Sequence, residues 1–354
     1  MLVSGAASSI AGGLTPSEHF NTVLYTGNNS TNVITGVGFQ SDLIWFKGRS
    51  AAQHHQLSNS QFAVGEHLTP NNTNGTITSG SGQDLTSIDS DGFTLGSSNF
   101  DRCNVNGTTY VAWNWKANGA GVSNTNGTIT STVSANADAG FSIVSYTGNS
   151  TSGATVGHGL SSAPEMVIVK VRDIANNWGV LHKYDTTRAN VLNAAAASES
   201  GTGWWSSTTP HLTANYFRVG GHDETNSSSH TYIAYCFHSV EGFSKVGSYT
   251  GNGSADGTFV YTGFRPAYVM QKHSTSAEDW NIFDNERGVS YNLVDDYLRA
   301  NDSGAEVSNH STVRMDLVSN GFKIRGTNSG INTDGATFIY LAFAEHPFKH
   351  TNAR

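Results

Sequence analysis

Fourteen histidines, two cysteines and 27 carboxylates are the side chains of this 354-residue sequence that could do acid–base, nucleophilic or metal chemistry. Their spacing favours none of it. Hydrolysis needs paired carboxylates or a nucleophile held beside a base, whereas Asp295-Asp296 and Glu278-Asp279 are isolated neighbours that read as solvated surface. No Gly-x-Ser-x-Gly elbow, phosphate-cradling loop followed by lysine, or His-Glu-x-x-His pair occurs. His54-His55 are merely adjacent, and His222, His230 and His238 recur every eight residues. Strand side chains eight apart share a face but cannot converge on a metal. Asp89-Ser90-Asp91-Gly92 resembles a piece of a calcium loop, lacks the remaining oxygen ligands and reads as a hairpin turn. No cofactor and no metal is expected, and the chain reads as a binding or structural module, not an enzyme.

Aromatic residues are the more informative candidates. Trp178 and Trp280 each fall eight residues after a lysine, at Lys170 and Lys272, and this shared register marks them as core or rim anchors. Trp204-Trp205, with Tyr216 downstream, has no such counterpart. Adjacent strand residues point to opposite faces, so one Trp of the pair is expected at the surface. There it would stack on a sugar ring or pack against a neighbouring subunit. Trp204, Trp205, Tyr216, Trp178 and Trp280 are therefore the candidate glycan or interface residues.

The elements that must position them are repeated. Tyr-Thr-Gly-Asn begins at Tyr25, Tyr146 and Tyr249, preceded by Phe20, Phe141 and Phe243. An apolar run then ends in Lys47, Lys170 and Lys272, which lie 22, 24 and 23 residues after the respective tyrosines. An aromatic strand follows, beginning at Tyr110, Tyr232 and Tyr340, 63, 62 and 68 residues beyond the lysines. These short runs of β-branched and aromatic residues, bounded by turn formers such as Asn74-Gly75, Asp91-Gly92, Asn320-Gly321 and Asp334-Gly335, predict strands buried on one or both faces. Charged residues are only 13% and glycines number 39, a composition of short strands and many turns.

The chain thus predicts an all-β protein of three tandem antiparallel β-sandwich units of about a hundred residues each. Residues 20–117, 141–242 and 243–354 form the units, 1–19 an N-terminal docking arm, and 118–140, poor in apolar residues, a linker or loose hairpin. Segments 190–197 and 294–301 can each be read as a short helix or as strand and loop. Cys103 and Cys236 sit at non-equivalent places in different repeats, which fits small buried hydrophobes and no disulfide framework.

The motifs also carry a resemblance. Tyr-Thr-Gly-Asn three times over, Gly263-Phe264-Arg265-Pro266-Ala267-Tyr268-Val269, Ser319-Asn320-Gly321-Phe322-Lys323 and Phe343-Ala344-Glu345-His346-Pro347-Phe348-Lys349 resemble a repeat family abundant in marine bacteriophages. Its members look like virion appendage proteins, chiefly tail fibre or related structural proteins, with units similar to the concanavalin-type lectin sandwich. The first repeat departs most, with Gln40-Ser41 where the third has Arg265-Pro266 and no Trp eight residues after Lys47.

The resemblance implies a virion structural protein of the tail fibre or another tail appendage, assembled in the host cytoplasm and released by lysis. A carbohydrate-binding lectin module and a capsid decoration protein are the alternatives. Expected partners are other virion proteins, further copies in a homo-oligomer, most simply a trimer that covers sheet edges few charges protect, and a glycan of the host surface. A net charge of -8 without a basic cluster argues against nucleic acid. The absence of a long apolar run argues against membrane insertion.

Overall fold

The computed structural model describes residues 14–98, 102–288 and 292–345. The chain is all-β, and its antiparallel sheets are built in three units that share one strand order. Each unit has a main sheet in which an opening strand (Phe20–Thr26, Phe141–Thr147, Ser244–Thr250) pairs with a closing strand (Thr109–Trp115, Thr231–Phe237, Thr337–Ala344). The closing strand pairs in turn with a lysine strand (Leu43–Gly48, Met166–Val171, Pro266–His273), and that with a seam strand (Gln56–Asn59, Gly179–His182, Asn281–Asp284). A smaller sheet covers one face of each main sheet.

Period-two alternation explains how these strands are buried on both faces. In the first lysine strand Ile44 and Phe46 enter the unit's own core, while Leu43 and Trp45 point the other way. The second divides Val167 and Val169 from Met166 and Ile168, and the third divides Val269 from Tyr268 and Met270. The outward sets do not face solvent. They meet in a fourth core common to all three units, together with Trp113, Trp115, Phe237 and Phe343 from the closing strands. Phe20 of unit 1 stacks on Phe343 of unit 3 at 4.8 Å, and Phe237 of unit 2 meets Phe343 at 6.1 Å. The units are thus not three independent sandwiches in a row but three wedges around one apolar centre.

The Tyr-Thr-Gly-Asn repeat is a clamp at the wedge's outer end. Tyr25, Tyr146 and Tyr249 donate their hydroxyls to the carbonyls of Cys103, Thr225 and Ile331, at 2.7, 2.7 and 2.8 Å. Each ring stacks on the closing-strand aromatic opposite it: Tyr110, Tyr232 and Phe338, at 5.1, 5.1 and 4.9 Å. The residue after each accepting carbonyl is a buried asparagine, Asn104, Asn226 or Asn332, whose side chain accepts from the backbone of the motif's Asn28, Asn149 or Asn252. The motif glycine is required by close approach, since a Cβ on Gly27, Gly148 or Gly251 would lie 2.2–2.3 Å from the carbonyl oxygen of Val105, Ser227 or Thr333.

Asn332→Ala removes the acceptor for Asn252 N and the Nδ2 bonds to the Ser254 and Gly326 carbonyls at 2.7 and 2.9 Å. Leaving these groups unpaired in a buried site is expected to cost about 3 kcal/mol. Urea denaturation reads the effect. A midpoint matching the parent's would contradict the clamp.

The structure decides some sequence expectations and corrects others. Of the two readings of 118–140 the hairpin holds and the linker does not: Val122–Asn124 pairs with Ser131–Asn136, and Ser131–Asn136 pairs with the opening strand Phe141–Thr147, widening the second main sheet. Its few apolar residues suffice because Ile129 and Val133 reach the unit's core. For 190–197 and 294–301, read either as a short helix or as strand and loop, the second reading holds: the first ends a strand at Val191 and the second contains the strand Leu298–Arg299. In the third closing strand Phe338, not Tyr340, faces the motif tyrosine. Of the arm, residues 1–13 lie outside the described residues. Leu14 packs partly against the shared core, and Pro16–Glu18 forms a single 3-10 turn. Asp91-Gly92 and Asn320-Gly321 do sit at hairpins, but each glycine is the first residue of the returning strand. There a Cβ would lie 2.0 Å from the carbonyl of Ile34 or Val260 in the adjoining strand.

Candidate functional site

A repeated set of polar contacts lies along the three seams between units. The side chain eight residues after each repeat lysine reaches across a seam to a backbone carbonyl. Trp178 of unit 2 donates to Asn72 of unit 1 at 3.2 Å, and Trp280 of unit 3 donates to Val191 of unit 2 at 2.8 Å. His55 closes the cycle from unit 1, its Nε2 lying 3.0 Å from the Arg299 carbonyl of unit 3. The Trp45 indole donates to His55 Nδ1 at 2.8 Å, which fixes Nε2 as the protonated nitrogen. The first repeat therefore keeps the role of the missing tryptophan with a histidine.

A second set repeats four residues later. Asp284 of unit 3 accepts from Trp113 Nε1 of unit 1 at 2.9 Å, and Asn59 of unit 1 donates to the Tyr235 hydroxyl of unit 2 at 3.0 Å. The repeat lysines are fully buried. Lys47 donates to the Ser303 and Gly304 carbonyls of unit 3, Lys170 to the Thr73 carbonyl of unit 1, and Lys272 to His273 and Ser276 within unit 3. Burial pulls all three ammonium groups down to about 8. At the seam between units 1 and 3, Arg287 bonds Asp284 at 2.6 Å and Glu306 at 2.8 Å, and Arg49 bonds Glu306 at 2.8 Å. Burial disfavours the Glu306 charge, but the two guanidiniums outweigh it and hold the carboxyl below its usual range.

The aromatic candidates are all inside or half inside. Trp178 and Trp280 are buried seam donors, as anchors should be. Trp204 and Trp205 are both buried, which corrects the expectation of one exposed ring. They lie in the short helix Thr202–Trp205, where successive residues are about 100° apart, so both turn into the core of unit 2. Trp204 also stacks on His222 at 6.1 Å. Tyr216 is half-buried under the Arg218 guanidinium, 5.5 Å from the ring centre. The structure does not bring these five residues together into one surface. Sequence reasoning missed His55, Asn59, Trp113 and Asp284, although the first is visible as the residue eight places after Lys47.

A cleft of about 440 Å³ opens in unit 1 beside Asp42, Asn59, Phe62, Glu66 and Lys116. Its polar groups serve the fold: Asp42 accepts from Ala117 N at 2.6 Å and Gly119 N at 2.9 Å, and Ser60 donates to the Gly119 carbonyl at 2.7 Å. Cys103 and Cys236 are free and buried, and burial pushes both thiols up, away from the reactive thiolate. Among the described residues no group of three or more His, Cys, Asp or Glu is placed to hold a metal. No described helix is long and apolar enough to cross a membrane.

A family profile described as a domain of unknown function, DUF7483, matches residues 15–347. No curated protein and no solved structure matches the chain.

Proposed function

The chain belongs to the DUF7483 family over nearly its whole length, and we propose that it is a virion structural protein, a component of a tail fibre or other tail appendage. The observation that carries this reading is the shared core. Three repeats fused around one centre, with both faces of each main sheet covered, make a stiff body from a single chain. What such a body leaves outward are loops and exposed rings such as Tyr184, Phe259 and Tyr261, where contacts with other virion proteins or a host surface would be made. The phage resemblance of the repeats supplies the location.

The expectation of a homotrimer rests on sheet edges that few charges protect, whereas what the sister units cover within this chain is the second face of each main sheet. We propose that the single chain, threefold within itself, is the unit from which any further assembly is built. The test is immunogold labelling of particles with antibody to this chain. Gold on appendages of intact particles is expected. Recovery of the chain only in the soluble fraction of the lysate, with unlabelled particles, would overturn the assignment.

A further inference from the structure

We infer that the cavity of about 180 Å³ between units 2 and 3 is a binding site for one neutral pyranose residue, such as the terminal sugar of a glycan. The site arises where the cyclic pattern of the seams breaks. His182 occupies the place that Asn59 and Asp284 hold in their units, twelve residues after the repeat lysine. Its counterpart across the seam is Leu341, in the place of Trp113 and Tyr235, two residues beyond the partner of the repeat lysine in each closing strand. Leucine offers no polar atom. His182 Nδ1 accepts from Tyr184 N at 3.2 Å, so Nε2 carries the proton, and it faces the Tyr340 backbone of unit 3.

Asn190 stands beside it, 4% exposed, with its Oδ1 unpartnered. Unit 3 has Leu298 at the corresponding place, opposite Ile282 as Asn190 is opposite Val180. A buried acceptor without a partner, as at Asn190 Oδ1, is costly unless something polar meets it.

The rest of the lining narrows what enters. Arg188 and Asp185 balance each other in charge, and the guanidinium is already held by Ser198 through Oγ at 2.7 Å and through its carbonyl. The Nε edge of the guanidinium is thus already taken within the protein. Hydroxyls of Ser274 and Thr337 and the second oxygen of Asp185, whose first accepts from Thr187, suit a ligand that donates and accepts in equal measure. The Tyr184 ring, 54% exposed, forms a wall against which the C–H face of a sugar can pack, its hydroxyl 3.4 Å from Thr337 Oγ1 across the seam. The inference holds whether or not the chain is a virion component.

Saturation-transfer NMR on the intact chain with glucose, galactose, mannose and N-acetylglucosamine tests it, each titrated to about 50 mM, well above the roughly millimolar dissociation constant expected of one sugar in a small site. At least one sugar should bind saturably. Tyr184→Ala, at an exposed position, and Asn190→Leu, which installs the residue type unit 3 tolerates, should each weaken that binding about tenfold, a loss of 1.4 kcal/mol, with the melting temperature unchanged in Tyr184→Ala. No saturable binding by any of the four sugars, or binding that survives both substitutions, would overturn the proposal.

Discussion

Acidification from pH 6.5 to pH 4 is expected to unfold the protein. His67, His158 and His182 are buried and held near a pKa of about 4, chiefly because burial penalises the charged ring. Their hydrogen bonds fit neutral rings, as at His158, where Nδ1 accepts from Leu160 N and Nε2 sits 3.0 Å from the Thr213 carbonyl. His55, fully buried at a seam, is lowered as well, again mainly by burial.

The sign follows from proton counting. In the unfolded chain these rings bind protons below the ordinary value of 6.5, while in the folded chain they stay neutral until about 4. Stability is therefore complete above pH 6.5 and declines through the window down to pH 4. At 1.36 kcal/mol per unit, each of the three contributes roughly 3 kcal/mol over that window. Together they approach the whole net stability of an ordinary domain. The carboxyls of Glu165 and Glu306, held below their usual range by their partners against the effect of burial, also lose their contribution as the pH falls, so they act in the same direction. Tryptophan fluorescence followed through an acid titration should show a cooperative transition between pH 6 and pH 4. A signal flat to pH 4 would contradict the assignment of neutral buried rings.

Arg287→Ala is expected to destabilise the protein by about 3–5 kcal/mol, because it leaves two buried carboxylates without their partner. Arg287 is fully buried and bridges Asp284 and Glu306, and it also donates to the Ile282 carbonyl at 2.9 Å. Arg49 remains for Glu306 and the Trp113 indole for Asp284, but neither replaces the lost charge at Asp284. Because Asp284 and Trp113 belong to different units, the damage should spread beyond unit 3. Denaturation followed by tryptophan fluorescence, which reports on all the units, should shift in one step. A shift below 1 kcal/mol would show the network to be dispensable.

The three-unit plan and the all-β class were legible because strand alternation and the Tyr-Thr-Gly-Asn motif survive in every copy. What covers the second face of each sheet was not. A run such as Met166–Lys170 says that both faces are buried but carries no sign that the second partner is a sister unit. The third repeat was misregistered by two residues on Tyr340. An even slip preserves which side chains face inward, so nothing in the pattern protests. That slip also hid the clamp. Asn104, Asn226 and Asn332 each stand six residues before Tyr110, Tyr232 and Phe338, a constant spacing that vanishes when Tyr340 is taken as the third member. Trp204-Trp205 misled because strand geometry was assumed where the chain makes a helical turn. The strand Ser131–Asn136 was concealed by its two serines and one threonine, although Ser131 and Ser134 are buried.

The central claim is that the three repeats are one body and not three domains on a string. If so, no unit can unfold without exposing the core it shares with the other two, and unfolding must be concerted. Differential scanning calorimetry of the intact chain reads this directly. The account predicts a single endotherm whose calorimetric and van't Hoff enthalpies agree, whereas two or three separable transitions, each with the enthalpy of about a hundred residues, would contradict it.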